Sequence, residues 1–168
     1  LAKLLDEDPS LVVEQNADTH QTLLKGQGEM HLRVAFERLQ RKHGIGRVAI
    51  VDFDVHHGNG TQDIFWADKS VMYCSTHQMP LYPGTGAKSE TGAQNTIVNA
   101  PLSAGDGGTE FREALESVIL PRINNFQPDL IIISAGFDAH RNDPLANLNL
   151  VEDDFAWVTD KLMDLAGK

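Results

Sequence analysis

The sequence predicts an α/β protein built on a mostly parallel sheet, on three observations. Val48-Ala49-Ile50-Val51-Asp52-Phe53 and Leu130-Ile131-Ile132-Ile133 are continuous apolar runs, as in strands buried on both faces. Phe111, Leu115, Val118 and Ile119 recur at helical spacing between them, and Phe155, Val158, Leu162 and Leu165 do so after them. Strands that alternate with helices stack the helices over a parallel sheet. With 168 residues, 41% of them hydrophobic, and one cysteine, the chain is long enough to bury a core without disulfide staples.

Each element has its own signal. Residues 1–9 read as the tail of a helix stopped by Pro9, and Leu11–Glu14 and Thr22–Lys25 as a hairpin around the polar segment Asn16 to Gln21. From Glu29 to His43, Leu32, Ala35, Phe36 and Leu39 make a one-faced helix. Arg41, Lys42 and His43 suit its negative C-terminal end, and Gly44 stops it. Val71–Cys74 and Thr96–Val98 are shorter strand candidates for the sheet of Val48–Phe53 and Leu130–Ile133. Cys74, inside an apolar run, is expected to be buried and inert. Thr109 is the expected N-cap of the helix through Ile119, with Pro121 ending or kinking it. A last helix is expected over Asp153–Ala166.

Charge separates two stretches. Residues 1–47 carry seven basic and seven acidic side chains, whereas residues 48–168 carry seven basic and seventeen acidic and so hold the whole net charge of −10. An acidic body repels phosphate backbones, so nucleic acid is disfavoured as a partner. No apolar run approaches the roughly 20 residues that cross a bilayer, and Leu1–Pro9 lacks a secretory layout, so no membrane association and a cytoplasmic location are expected.

Chemistry concentrates at strand ends. Asp52-Phe53-Asp54-Val55-His56-His57-Gly58-Asn59-Gly60 follows a buried strand directly, where open parallel sheets place ligands. In an extended chain Asp52, Asp54 and His56 point to one side and His57 to the other. Ser134-Ala135-Gly136-Phe137-Asp138-Ala139-His140 ends a second strand at the same sheet edge. Asp54, His56 and Asp138 would then form a three-ligand metal site with an open position, the catalytic arrangement, formally neutral with a divalent ion. Taken singly, each is also what a cap or solvated loop residue looks like. His20, His31 and His140 read as surface or helix-face residues, and Tyr82-Pro83-Gly84-Thr85-Gly86 as a turn.

Val51 through Gln62, His77 through the Tyr82–Gly86 turn, Ser134 through His140, and Asp143-Pro144-Leu145 resemble the histone deacetylase and acetylpolyamine amidohydrolase family, over residues from about 43 to 168. Asn59 and the pair Phe137-Asp138 look like its bacterial and class II branch. The resemblance implies a partial three-layer α/β/α fold of arginase/deacetylase type and hydrolysis of acetyl-lysine or acetylpolyamine amides by a metal-activated water. It makes Asp54, His56 and Asp138 the ligands of Zn2+, or of Fe2+. It makes Asp52 the carboxylate that orients a catalytic histidine and, with Ser75, a ligand of K+. Tyr82 falls at an aromatic wall of the acyl-lysine tunnel.

Two family features have no counterpart in the sequence. The histidine pair that serves as general base precedes the zinc-ligand strand, and residues 1–42 contain none. The oxyanion tyrosine falls beyond Lys168. Losing either kind of group typically costs about 10²-fold in rate, so catalysis is expected to be impaired. Residues 1–42 instead resemble the third domain of elongation factor G, through Leu1–Leu5, Glu7–Leu11, Thr19–Leu24 and Gly26–Leu32. No phosphate-binding loop of the Gly-x-x-x-x-Gly-Lys type is present. The expected organisation is a small α+β segment over 1–45 and a deacetylase-like α/β unit over 46–168, joined near His43–Arg47 as in a chimera. A truncated sheet exposes an edge, so a homo-oligomer is expected. The alternative function is a non-catalytic scaffold that binds a divalent ion or none.

Overall fold

The computed structural model describes residues 44–167 throughout. Before them it describes the backbone of β1 (Val12–Gln15) and β2 (Thr22–Lys25) and the helical positions 34, 37, 38 and 41. β1 and β2 pair antiparallel, Val12 opposite Lys25. The expected helix tail over 1–9, most of the helix over Glu29–His43, His20 and His31 lie outside the described residues. The chain divides into the units Leu1–Ile45 and Gly46–Lys168.

In the second unit, β3 (Val48–Asp52), β4 (Val71–Gln78), β5 (Ile97–Leu102) and β6 (Leu130–Ser134) form a parallel sheet in the order β5-β4-β3-β6. Its helices are α1 (Asn59–Phe65), which the sequence pattern did not signal, α2 over residues 108–126, and α3 (Glu152–Ala166). The fold class is the parallel α/β one the apolar runs predict.

Side-chain alternation sorts the sheet into two chemistries. Ala49, Val51, Met72, Cys74, Val98 and Ala100 lie in the apolar core with Phe111, Leu115, Ile119 and Ile123 of α2 and Phe155, Val158 and Leu162 of α3. Each large side chain so buried contributes about 1.5–3 kcal/mol. Their strand neighbours Asp52, Tyr73, Ser75, His77 and Asn99 point to the other face, and all are buried. There Gln62 of α1 accepts a 2.8 Å bond from the Asn99 amide. β4 runs four residues beyond the expected Val71–Cys74 because Ser75, Thr76, His77 and Gln78, which look like a strand's end in sequence, are buried in the ladder. β5 tolerates Pro101 because it is an edge strand in this sheet.

In α2, Gly107 rather than Thr109 starts the helix, its N–H bonded to the Glu110 carboxylate. Pro121 does not end it. A π turn over Leu115–Ile119 precedes the proline, and helix continues over Leu120–Phe126. The inward residues Phe111, Leu115, Ile119 and Ile123 come every fourth position, and at 3.6 residues per turn such a stripe drifts by about 40° per step. One π turn takes up an extra residue and keeps the stripe on the sheet. Val118, expected on that stripe, is exposed instead.

Arg112 clips α2 to α3. Its guanidinium bonds the buried Asp154 carboxylate at 2.8 and 2.9 Å and stacks on Trp157. Arg112→Leu is expected to cost about 2 kcal/mol in urea unfolding, because it strands a buried carboxylate that retains only the Val151 N–H.

Candidate metal centre

β3 and β6 are neighbours in register, Asp52 beside Ser134, so the loops that leave their C-terminal ends start from one edge. The first loop is bent by its own aspartates. Asp52 accepts the N–H of Asp54 at 3.2 Å, and Asp54 accepts the N–H of His56 at 2.7 Å. Each bond is an Asx turn, in which a short carboxylate captures the backbone two residues on. From the second loop, Asp138 reaches across to accept the Val55 N–H at 2.9 Å.

These bonds bring Asp54, His56 and Asp138 together, with one ligand atom from each within 4.8 Å of the others. Among the described residues they are the one such group. The His56 Nδ1 lies 2.9 Å from Asp138 Oδ2 and 3.2 Å from Asp54 Oδ1. Asp138 is the most enclosed of the three, and Asp54 and His56 are about one-third exposed, so one side stays open. Burial and the neighbouring Asp138 charge push the Asp54 carboxyl above its ordinary range. Two carboxylates and an imidazole nitrogen facing one point form a donor set suited to zinc or another divalent ion.

Gly136 makes the approach possible. A Cβ there would run into the Asp54 carboxylate. Gly136→Ala is expected to destabilise the protein by about 1–3 kcal/mol in denaturant unfolding and to spread the three ligands.

Asp52 does not join this group. It is still in the sheet ladder when its carboxylate turns the chain, so Asp54 leaves the sheet while Asp52 stays buried. There it accepts the Tyr73 hydroxyl at 3.0 Å, and burial raises its pKa to about 7. Ser75 stands beside Asp52 in register. His77 donates through Nε2 to the Gly86 carbonyl at 3.1 Å, so its Nδ1 accepts from the Ser75 hydroxyl at 2.9 Å. Ser75 Oγ therefore keeps its lone pairs for a further donor or a cation.

His57 points away from the cluster, as expected, into a buried polar nest with His77, Gln62 and Asn99. Tyr82 is 80% exposed on a loop whose Gly84 and Gly86 have φ of +84° and +92°. His140 is half-buried in a loop rather than on a helix, stacked on Phe155, with Nε2 3.5 Å from Glu152. Cys74 is fully buried, and burial pushes its thiol up to about 12. Residue patterns missed Tyr73, Gln62, Thr85 and Glu90. Tyr73 sits in an apolar run and Glu90 in an ordinary polar turn, and only tertiary contacts distinguish them.

A Histone deacetylase domain model matches residues 31–168, and an Elongation Factor G domain III model matches residues 1–49, so the two overlap across the expected junction. The deacetylase match starts earlier than the residues near 43 where the motifs begin. The chain is 47% identical over 121 residues to chloroplastic histone deacetylase 14 of Arabidopsis thaliana, covering 70% of this chain and 29% of that protein. It is 44% identical over 133 residues to a probable deacetylase of Methanothermobacter thermautotrophicus, covering 76% and 40%. Among solved structures, the HDA15 HD domain superposes with a TM-score of 0.74 at 42% identity, covering 80% of this chain and 41% of that one. The acetylpolyamine aminohydrolase from Burkholderia pseudomallei gives 0.73 at 33% identity, covering 79% and 40%. The chain thus spans about 40% or less of the length of these relatives. Among the described residues no helix is long and apolar enough to cross a membrane.

Proposed function

Since the chain belongs to the histone deacetylase family, we propose that Asp54, His56 and Asp138 hold a divalent ion, zinc before iron, in a site for N-acetyl amides of lysine or polyamines. The observation that carries this is the convergence of the three ligand atoms at the ends of two adjacent parallel strands. When bound, such an ion supplies Lewis acidity to an amide carbonyl and to water.

The protein's own groups do the rest. The Asx turns aim Asp54 and His56, the Val55 N–H holds Asp138, and Gly136 leaves room for the Asp54 carboxylate. Tyr82 offers an exposed ring to the substrate's acyl-bearing chain. Asp52 and Ser75, buried side by side, are the proposed holders of potassium. With no counterpart of the family's base histidine pair or oxyanion tyrosine in this sequence, turnover by the chain alone is expected to be slow. The test is an acetyl-lysine peptide and an acetylated polyamine, each with the zinc-loaded protein. Release of acetate from either, abolished in Asp54→Ala, supports the reading.

The second reading is a non-catalytic scaffold that binds the ion. Zinc binding with no acetate release would select it. β6 is an edge strand whose residues Leu130–Ser134 are only half-buried, so pairing with another copy is expected. Light scattering showing a monomer at high concentration would refute that.

A further inference from the structure

Behind the metal cluster, Thr85, His57, Gln62 and Glu90 form an unbroken hydrogen-bonded chain. His57 is buried at 3% exposure, with its ring against those of Tyr73 and His77 at 6.1 and 4.7 Å between centroids. Its Nδ1 is 2.7 Å from the Thr85 hydroxyl and its Nε2 is 3.1 Å from Gln62 Oε1. Every hydrogen in the chain can be assigned from one end. The Glu90 carboxylate only accepts, so the Gln62 amide nitrogen donates to it at 2.6 Å. Gln62 Oε1 is then an acceptor, His57 carries its proton on Nε2, and Thr85 donates to Nδ1.

The same chain fastens the loop that carries Tyr82. Glu90 also accepts the N–H groups of Gly86 and Ala87 at 3.0 and 3.2 Å, and the Gly86 carbonyl is held by His77. Gly86 packs so closely that a Cβ on it would lie 2.7 Å from the His57 ring. On the other side, residues 53–58 lack regular structure, so His56 is directed by side-chain bonds to Asp54 and Asp138 rather than by a sheet ladder. His57 is joined to His56 by a single peptide unit, so a fixed His57 ring limits how the backbone can turn at His56. Anchoring His57 therefore helps to hold His56 toward Asp54 and Asp138.

We propose that this chain is a positioning device that couples the two sides of the site: Thr85 and Glu90, through His57, set both the His56 side chain and the Tyr82 loop. The inference rests on the proposed roles of His56 and Tyr82. A cluster that merely fills space would need no directional bonds, whereas here each donor has one acceptor that fixes its orientation.

Thr85→Val removes the donor to His57 at nearly constant shape, and Thr85→Ser keeps it. The first readout, on metal-free protein, is hydrogen exchange of the His56 amide, which the Asp54 carboxylate protects. The second is zinc affinity by calorimetry. Thr85→Val is expected to speed His56 exchange and to weaken zinc binding, each about tenfold, with Thr85→Ser close to the parent. Exchange that accelerates at Gly86 and Ala87 alone, or zinc affinity that stays unchanged in Thr85→Val, overturns the coupling. If the parent takes up no zinc, the metal-site reading fails, and His56 exchange by itself then decides the coupling. Should Thr85→Val not fold, Glu90→Gln loosens the same chain from its far end and carries the same expectations.

Discussion

Asp138→Ala is expected to abolish stoichiometric zinc binding while the four-stranded sheet remains folded. Asp138 is the one member of the cluster contributed from beyond β6, and it is the most enclosed of the three. Removing it leaves Asp54 and His56, two ligands two residues apart on one loop, to bind the ion alone. A lost outer partner of a metal ligand already costs about 10–100-fold in affinity. A lost ligand in a three-ligand site costs more, enough to bring a tight site down to non-specific binding. The Val55 N–H also loses its acceptor, so the first loop slackens as the second is cut. Metal analysis after dialysis should find about one zinc per chain in the parent and none in the variant. Circular dichroism of the variant should show the parent's helix and strand content. Equal zinc in both proteins would mean that the ion sits elsewhere.

A second large effect is expected from pH, through His77. This ring is 1% exposed, and burial followed by the nearby His57 lowers its pKa from 6.5 to about 4. Between those values the unfolded chain binds a proton that the folded chain refuses. Stability is therefore complete above pH 6.5 and lost as pH falls toward 4. At about 1.4 kcal/mol per pH unit, the loss integrates to about 3 kcal/mol. Asp52 works in the opposite direction over nearly the same range, because its buried carboxyl titrates near 7 rather than at 3.8. The parent's own stability curve is accordingly flattened, and the His77 contribution has to be read as a difference. Urea unfolding of the parent and of His77→Gln at pH 7 and pH 4 should show the parent losing about 3 kcal/mol relative to the variant. A difference independent of pH would mean that His77 is protonated in the folded state.

The residues of the cluster were legible because strand-end aspartates at fixed spacing follow unmistakable apolar runs. Asp54, His56 and Asp138 could be paired from sequence because parallel strands deliver their C-terminal ends to one edge. Asp52 was set apart from the ligands by the resemblance, but its buried partner Tyr73 was not legible, because that residue sits inside an apolar run. Pro121 was read as a stop because helix rules assume a uniform pitch, and a π turn just before it broke that assumption. Glu90 carried no signal, since an acidic residue in a polar turn looks alike whether it faces water or holds two backbone amides.

The amino-acid sequence alone determined the α/β class, the positions of the main strands and helices and the two loops that carry the candidate ligands, although Leu130–Ile133, read as buried on both faces, is a half-buried edge strand. These depend on periodicity and local turn chemistry, which act over a few residues. Only the tertiary structure decided which strands are neighbours, that polar residues from Ser75 to Gln78 belong inside the sheet, and that Thr85 and Glu90 grip His57. Those outcomes depend on contacts between residues distant in the chain, where burial converts an ordinary hydroxyl or carboxylate into a fixed partner.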